Sequence, residues 1–211
     1  RMSTVPSAYG ENLKVVPGMS DFPFTQMHDG QSCKDTDFNC YEQVKPLYRL
    51  NLERGFLTAG NMYHPALAYM IIINEPDLKM PHTATIGGLE DVKKMCRTIL
   101  SSFDAMLDAE KEIGVAGNLI NFTATFSFAT CHSCGEKYQR KPALGQMWVL
   151  DDAMNNPEKY GYTPKNDLAL AYRTRWTHSF NTQNKAHELQ PLFFDDYVKA
   201  FSTVPVFIAE Y

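Results

Sequence analysis

The stretch AYMIIINEPDLKM, residues 68–80, joins a buried strand to a group of polar side chains. Its run of apolar and β-branched residues at 69–73 is typical of a strand that is covered on both faces. The run then ends on Asn74, Glu75 and Pro76, where a strand that serves only as scaffold would end in a glycine-containing turn. An amide and a carboxylic acid at this position indicate a functional site at the end of the strand.

A second stretch, VPVFIAEY at 204–211, repeats this arrangement. It is again a continuous apolar run, and it again ends on a glutamate, Glu210. Sites in open α/β sheets and in β/α barrels form at the carboxyl ends of parallel strands. If both stretches are parallel strands of one sheet, the carboxylates of Glu75 and Glu210 lie at the same edge. Glycoside hydrolysis requires such a pair of carboxylic acids.

Helical and strand patterns alternate along the chain. The clearest helix is 87–114, in which apolar residues recur every three or four positions and Gly114 marks the end. Residues 167–182 fit either a continuous helix or a helix that gives way to a strand near Arg175. The remaining predictions are strands at 12–19, 68–74, 118–130 and 204–211, helices at 41–55 and 188–201, and an irregular segment at 131–165. This alternation predicts a single α/β domain over residues 1–211, built from βαβ units around a parallel sheet.

The composition excludes several classes of protein. Hydrophobic residues make up 44% of the chain and charged residues 21%, which is the balance of a globular domain with a sizeable core. The basic residues are scattered and the net charge is −4, so no nucleic-acid partner is expected. The longest apolar run, 66–73, is too short for a membrane span. Because the sequence lacks a phosphate loop, a nucleophile elbow and a metal-ligand pattern, it predicts no cofactor and no metal.

The cysteines predict the compartment of the protein. Cys33 and Cys40 close a short loop, and Cys131 and Cys134 form the motif CHSC. Two local disulfides and one buried thiol, Cys96, would fit this spacing and would indicate a secreted or extracellular protein. The alternatives are a zinc site built from the four paired cysteines, and a redox-active CHSC motif.

The motifs IIINEP at 71–76, YHPAL at 63–67 and PVFIAEY at 205–211 together resemble the retaining glycoside hydrolases of the (β/α)8-barrel clan A. In that clan an Asn-Glu pair ends the fourth strand and supplies the acid/base, and a glutamate that ends the seventh strand is the nucleophile. The resemblance therefore implies that Glu75 is the acid/base and Glu210 the nucleophile. It also implies that Asn74 holds the 2-hydroxyl of the sugar.

Further residues are implied as parts of a carbohydrate site. Tyr211 follows the nucleophile directly, and His178, near the supposed sixth strand, is expected to orient it. Trp148 and Trp176 are candidate stacking platforms, because aromatic faces suit the C–H surfaces of sugars.

The expected fold is a (β/α)8 barrel that this chain builds only in part. A complete barrel has eight strands and about 250 residues. Counted with 12–19 as the third strand, the chain supplies strands three to seven, so we expect other segments or other chains to complete it. The expected activity is that of a glycosidase acting on a polysaccharide, with a β-linked glucan as the substrate by analogy. The alternative is a non-catalytic extracellular structural or glycan-binding protein derived from a glycosidase, but the presence of both glutamates favours the enzyme.

Overall fold

The computed structural model describes residues 13–80, 89–131 and 141–211. Within these ranges the chain forms four strands and seven α-helices. The strands are β1 (Tyr69–Asn74), β2 (Asn121–Phe126), β3 (His178–Asn181) and β4 (Val206–Glu210). The helices are α1 (Tyr41–Asn51), α2 (Pro76–Lys79), α3 (Leu89–Ile113), α4 (Pro142–Asn155), α5 (Leu168–Arg175), α6 (Ala186–Leu189) and α7 (Asp195–Ala200). Short turns of 3-10 or π-helical geometry lie at Phe22–Gln26, Cys33–Thr36, Leu52–Phe56, Ala59–Asn61, Pro157–Tyr160 and Gln190–Phe194.

The four strands form one parallel sheet whose spatial order, β1-β2-β3-β4, is also their order in the chain. Because parallel crossovers are almost always right-handed, crossovers that all advance in one direction place their helices on the same face of the sheet. On this outer face Phe180 of β3 packs its ring 4.3 Å from that of Phe193 and 5.9 Å from that of Phe194. The predicted α/β class is confirmed as a parallel sheet that alternates with helices.

The opposite face, which we call the inner face, is concave. The rings of Tyr69 on β1 and Phe207 on β4 stack with their centroids 4.9 Å apart. In a flat sheet these strands would be three spacings, or about 14 Å, apart. Between them the Ser179 hydroxyl lies 2.7 Å from that of Thr123 and 2.8 Å from that of Thr125. The sheet therefore curls until side chains of its first and last strands meet.

The predicted strand at 12–19 appears as an extended segment rather than a regular strand. It runs parallel to β1, with isolated bridges from Val15 to Leu67 and from Gly18 to Ile71. The Val15 amide donates to the Ala66 carbonyl over 2.7 Å. The segment thus lies on the side of β1 that faces away from β2, as the predicted strand order requires.

The longest helix, α3, supplies much of the core. It ends at Gly114, which takes the left-handed conformation that favours glycine (φ +75°). Cys96 lies on its buried side and is a free thiol, as predicted. Cys33 and Cys40 are placed as a disulfide pair with their Cα atoms 4.8 Å apart, within the usual range. Of the second predicted pair, Cys131 is disulfide-bonded, and Cys134 lies outside the described residues.

One predicted segment is wrong and one ambiguity is resolved. Residues 131–165, which we expected to be irregular, contain the 14-residue helix α4. Pro142 begins this helix, and its apolar residues at 144, 147, 150 and 154 are all buried, so a helical period was present between the prolines. In 167–182 the second alternative holds, because α5 ends at Arg175 and β3 begins at His178. No helix in the described part of the chain is long and apolar enough to cross a membrane.

Candidate functional site at the carboxyl edge of the sheet

Glu75 and Glu210 lie at the same edge of the sheet. Glu75 directly follows β1, and Glu210 is the last residue of β4. Because the four strands are parallel, both residues are at the carboxyl edge, as predicted from the two apolar runs. Glu75 is partly buried, whereas Glu210 is exposed to solvent.

A third residue, Asn181 at the end of β3, links the two ends of the sheet. Its backbone is paired with Glu210 on the adjacent strand, just after a register shift in the β3–β4 pairing. Its side-chain nitrogen Nδ2 donates to Glu75 Oε1 over 3.1 Å and to Asn74 Oδ1 over 3.2 Å. These bonds reach across β2, which lies between β1 and β3. The curl of the sheet therefore brings the ends of three strands into one polar cluster, Asn74, Glu75 and Asn181, with Glu210 beside it.

The backbone at Glu75 is strained. Its φ is +53° and its ψ +52°, in the left-handed region that non-glycine residues rarely adopt. The Glu75 amide donates to the Thr125 carbonyl over 2.7 Å, and Pro76 starts helix α2 immediately afterwards. The strand ladder on one side and the helix on the other thus hold Glu75 in this conformation. A strained backbone costs stability and persists only where the surrounding structure enforces it. Such strain tends to cluster at functional sites.

We expect the Glu75→Gly variant to be about 1 kcal/mol more stable to unfolding than Glu75→Ala, since only glycine adopts φ > 0 without a Cβ penalty. This would reverse the usual order, in which glycine is the less stable of the two. Urea unfolding of both variants measures the difference. At Glu42, in the first turn of α1, the same pair of substitutions should show the usual order. Equal stability of the alanine and glycine variants at position 75 would show that the backbone there is not strained.

Asp77 anchors the short helix that follows Glu75. It lies in α2, and only 4% of its surface is exposed. Its carboxylate accepts hydrogen bonds from the Ser127 amide, at 3.2 and 3.3 Å, and from the Ser127 hydroxyl. Because Ser127 follows β2 directly, Asp77 fixes the short helix after Glu75 against the end of the next strand.

Of the other residues predicted for the site, Asn74 lies within it and Tyr211 lies at its edge. Tyr211 follows Glu210 and is 72% exposed. Its hydroxyl accepts a hydrogen bond of 3.1 Å from the amide of Ala186, the first residue of α6. The tyrosine thus holds the end of β4 against the connection that follows β3.

The structure separates three predicted residues from the site. His178 lies on the outer face of the sheet, where its Nε2 is 2.8 Å from the Tyr172 hydroxyl and its Nδ1 2.9 Å from that of Tyr197. Trp176 is 2% exposed and packs edge-on against Phe103, so no sugar can stack on it. Trp148 is 46% exposed, but it lies on helix α4 in the outer layer. The expectation that His178 orients Glu210 is corrected, because strand residues alternate between the faces and 178 falls on the helical one.

His178 is buried completely, and this burial lowers the pKa of its imidazole to about 3. The ordinary value in an unfolded chain is about 6.5. Below pH 6.5 the unfolded state therefore binds a proton that the folded state does not bind. The free energy of unfolding falls as the pH drops from about 6.5 towards 3.

From pH 6.5 to 5 we expect His178 to lower the free energy of unfolding by roughly 1.6 kcal/mol in total, with a slope that approaches about 1.4 kcal/mol per pH unit at the acid end. The nearest titratable groups are Tyr172 and Tyr197, and Asp151 is hydrogen-bonded to Tyr172. Urea unfolding across this range, compared with a His178→Gln variant, isolates the histidine because both proteins share every other group. Parallel pH profiles for the two proteins would rule out this contribution.

The sequence pattern did not identify Asn181 as a candidate site residue. Its segment, HSFNT at 178–182, shows the same order as the stretch around Glu75, with apolar strand positions followed by an amide. A spacing of four residues between the large apolar side chains of 167–182 concealed it by favouring a helix.

Comparison of the chain with protein-family models, curated proteins and solved structures finds no match. The chemistry proposed for this edge therefore depends on its own residues, on their geometry and on the motif resemblance.

Proposed function

We propose that the protein is a retaining glycoside hydrolase that cleaves a polysaccharide by double displacement. The observation that carries the proposal is the pair of glutamates, Glu75 and Glu210, at one edge of a curled parallel sheet. An amide on the strand beside Glu210 reaches Glu75 directly. Two carboxylic acids at one edge of a parallel sheet are the groups that glycoside hydrolysis uses.

The topology supports a barrel of the (β/α)8 type, as found in clan A glycosidases. A sheet whose helices all lie on one face, and whose first and last strands touch through Tyr69 and Phe207, has the sense of curvature that a barrel needs. The extended segment beside β1 and the four strands would correspond to strands three to seven. We infer that strands from other segments or other chains close the remainder.

The resemblance gives each carboxylic acid its role. Glu210 attacks the anomeric carbon as the bond to the leaving oxygen breaks, and Glu75 gives that oxygen its proton. The resulting glycosyl ester on Glu210 is then hydrolysed by a water whose proton returns to Glu75. Asn74 donates to the sugar 2-hydroxyl with its Nδ2, because its Oδ1 already accepts from Asn181.

The substrate and compartment follow from the same proposal. The curved face suits an extended glycan, and a β-linked glucan is the substrate that we propose. The cysteine pair at 33 and 40 favours secretion, where such polymers are found.

The test is hydrolysis by the full-length protein. It is incubated with mixed-linkage, β-1,3- and β-1,4-glucans, and new reducing ends are measured while proton NMR follows the first anomer released. Release of the β-anomer from a β-glucan supports the proposal, and release of the α-anomer excludes the retaining mechanism. Binding to the glucans without new reducing ends would instead favour the non-catalytic glycan-binding protein.

A further inference from the structure

The Asn181 amide has an unusual set of partners. Carboxylate oxygens only accept hydrogen bonds, so the group facing Glu75 is the NH₂ end of the amide. That same end also meets Asn74, and together the two bonds use both of its protons. Asn181 thus links the side chains of Asn74 and Glu75 through one amide group.

The other end of the amide is unpaired. Asn181 is 5% exposed, and its Oδ1 is buried with no hydrogen-bond donor among the described residues. A buried acceptor without a partner destabilises the fold, so an amide selected for stability alone would not leave it open. The residue directs its donors at the proposed acid/base, at a cost to the fold.

We propose that Asn181 is a positioning residue that holds the Glu75 carboxyl in line with the leaving oxygen; this rests on the proposed function. Its bond to Oε1 leaves Oε2 as the oxygen that carries the proton. Its bond to Asn74 anchors the Asn181 amide, so that its other proton stays directed at Glu75. If the Glu75 carboxyl is no longer held in place, only reactions whose leaving group needs a proton become slower.

The experiment compares leaving groups. Asn181→Ala in the full-length protein should lower kcat/KM on polysaccharide by about one to two orders of magnitude. On a 2,4-dinitrophenyl glycoside, whose leaving group departs without a proton, the loss should be smaller than about threefold. Asn181→Ser should give the same ratio, and in a Glu75→Ala background Asn181→Ala should have no further effect.

The control is Asn121→Ala. Asn121 opens β2 at the opposite end of the sheet and makes a comparable side-chain bond to Thr177, at 3.0 Å. It should lower neither rate once the fraction of folded protein is matched.

Different results would contradict the positioning role of Asn181 and the proposed function. Equal losses on both substrates would show that Asn181 serves only the fold, and would overturn the inference while leaving the proposed function intact. If the wild-type protein cleaves neither substrate, the proposed function fails and the positioning role fails with it. An independent readout is the side-chain amide signal of Asn181, which should move upfield in Glu75→Leu and stay in place in Glu158→Gln. An amide signal that ignores Glu75→Leu would also overturn the inference.

Discussion

The Glu210→Gln variant of the full-length protein is expected to lose turnover by on the order of 10⁴-fold or more on every glycoside, activated or not. Glutamine has the shape of glutamate, but its neutral amide cannot form the glycosyl ester. Because Glu210 is exposed at the end of β4, the substitution should leave the stability of the protein within about 0.5 kcal/mol of wild type. Steady-state kinetics together with a thermal unfolding curve measure both quantities.

The Glu75→Ala variant is expected to show the kinetics of an enzyme that keeps its nucleophile but lacks its general acid. On polysaccharide it should fall by about 10²–10⁴-fold, whereas activated aryl glycosides should still form the ester at a rate near that of wild type. Hydrolysis of the ester then lacks its base, so added azide should restore turnover and yield a glycosyl azide of retained configuration. The control Glu158→Gln, an exposed glutamate in the turn at 157–160, should be fully active. Wild-type activity of Glu75→Ala on polysaccharide would show that these two roles are wrongly assigned.

The strands and their shared edge could be predicted because local sequence specifies them. A run of five apolar residues needs two covered faces, and a helix with apolar residues every three or four positions needs one. Alternation of the two then leaves a parallel sheet as the simplest arrangement. Since a parallel sheet has all its carboxyl ends on one side, the common edge of Glu75 and Glu210 followed without any knowledge of contacts.

The inner geometry of the site could not be predicted, because it depends on how far the sheet curls. The contact of Asn181 with Glu75 crosses an intervening strand, and no sequence spacing encodes it. For His178 the sequence predicted a place in the site, whereas the structure places it on the other face of the sheet. One residue of register decides whether a strand side chain faces the site or the helices, and β3 could be located only to within several residues.

The opposite end of the sheet contains a buried ion pair. Arg175, at the end of α5, binds both oxygens of Glu110 on α3 over 2.9 and 3.0 Å. Its Nε donates to the carbonyl of Ile120 over 2.8 Å, just before β2 begins. The Tyr63 hydroxyl also donates to Glu110, and it lies 2.7 Å from that of Tyr48. This network ties two helices to the amino ends of β2 and β3, away from the candidate site.

Replacement of Arg175 by methionine should therefore lower the free energy of unfolding by about 3–5 kcal/mol, because it leaves the Glu110 carboxylate buried without its partner. The double variant Arg175→Met, Glu110→Met should regain part of this loss, since two apolar side chains can pack where a single charge cannot. Arg173→Met, on the exposed side of the same helix, should change stability by no more than about 0.5 kcal/mol. Under the proposed function, Arg175→Met should keep the wild-type kinetics below its unfolding temperature, because sites of β/α barrels form at the carboxyl ends of the strands whereas the amino-end face serves stability. A single variant as stable as the double one would mean that Glu110 finds water or another donor, and that the ion pair contributes little to the fold.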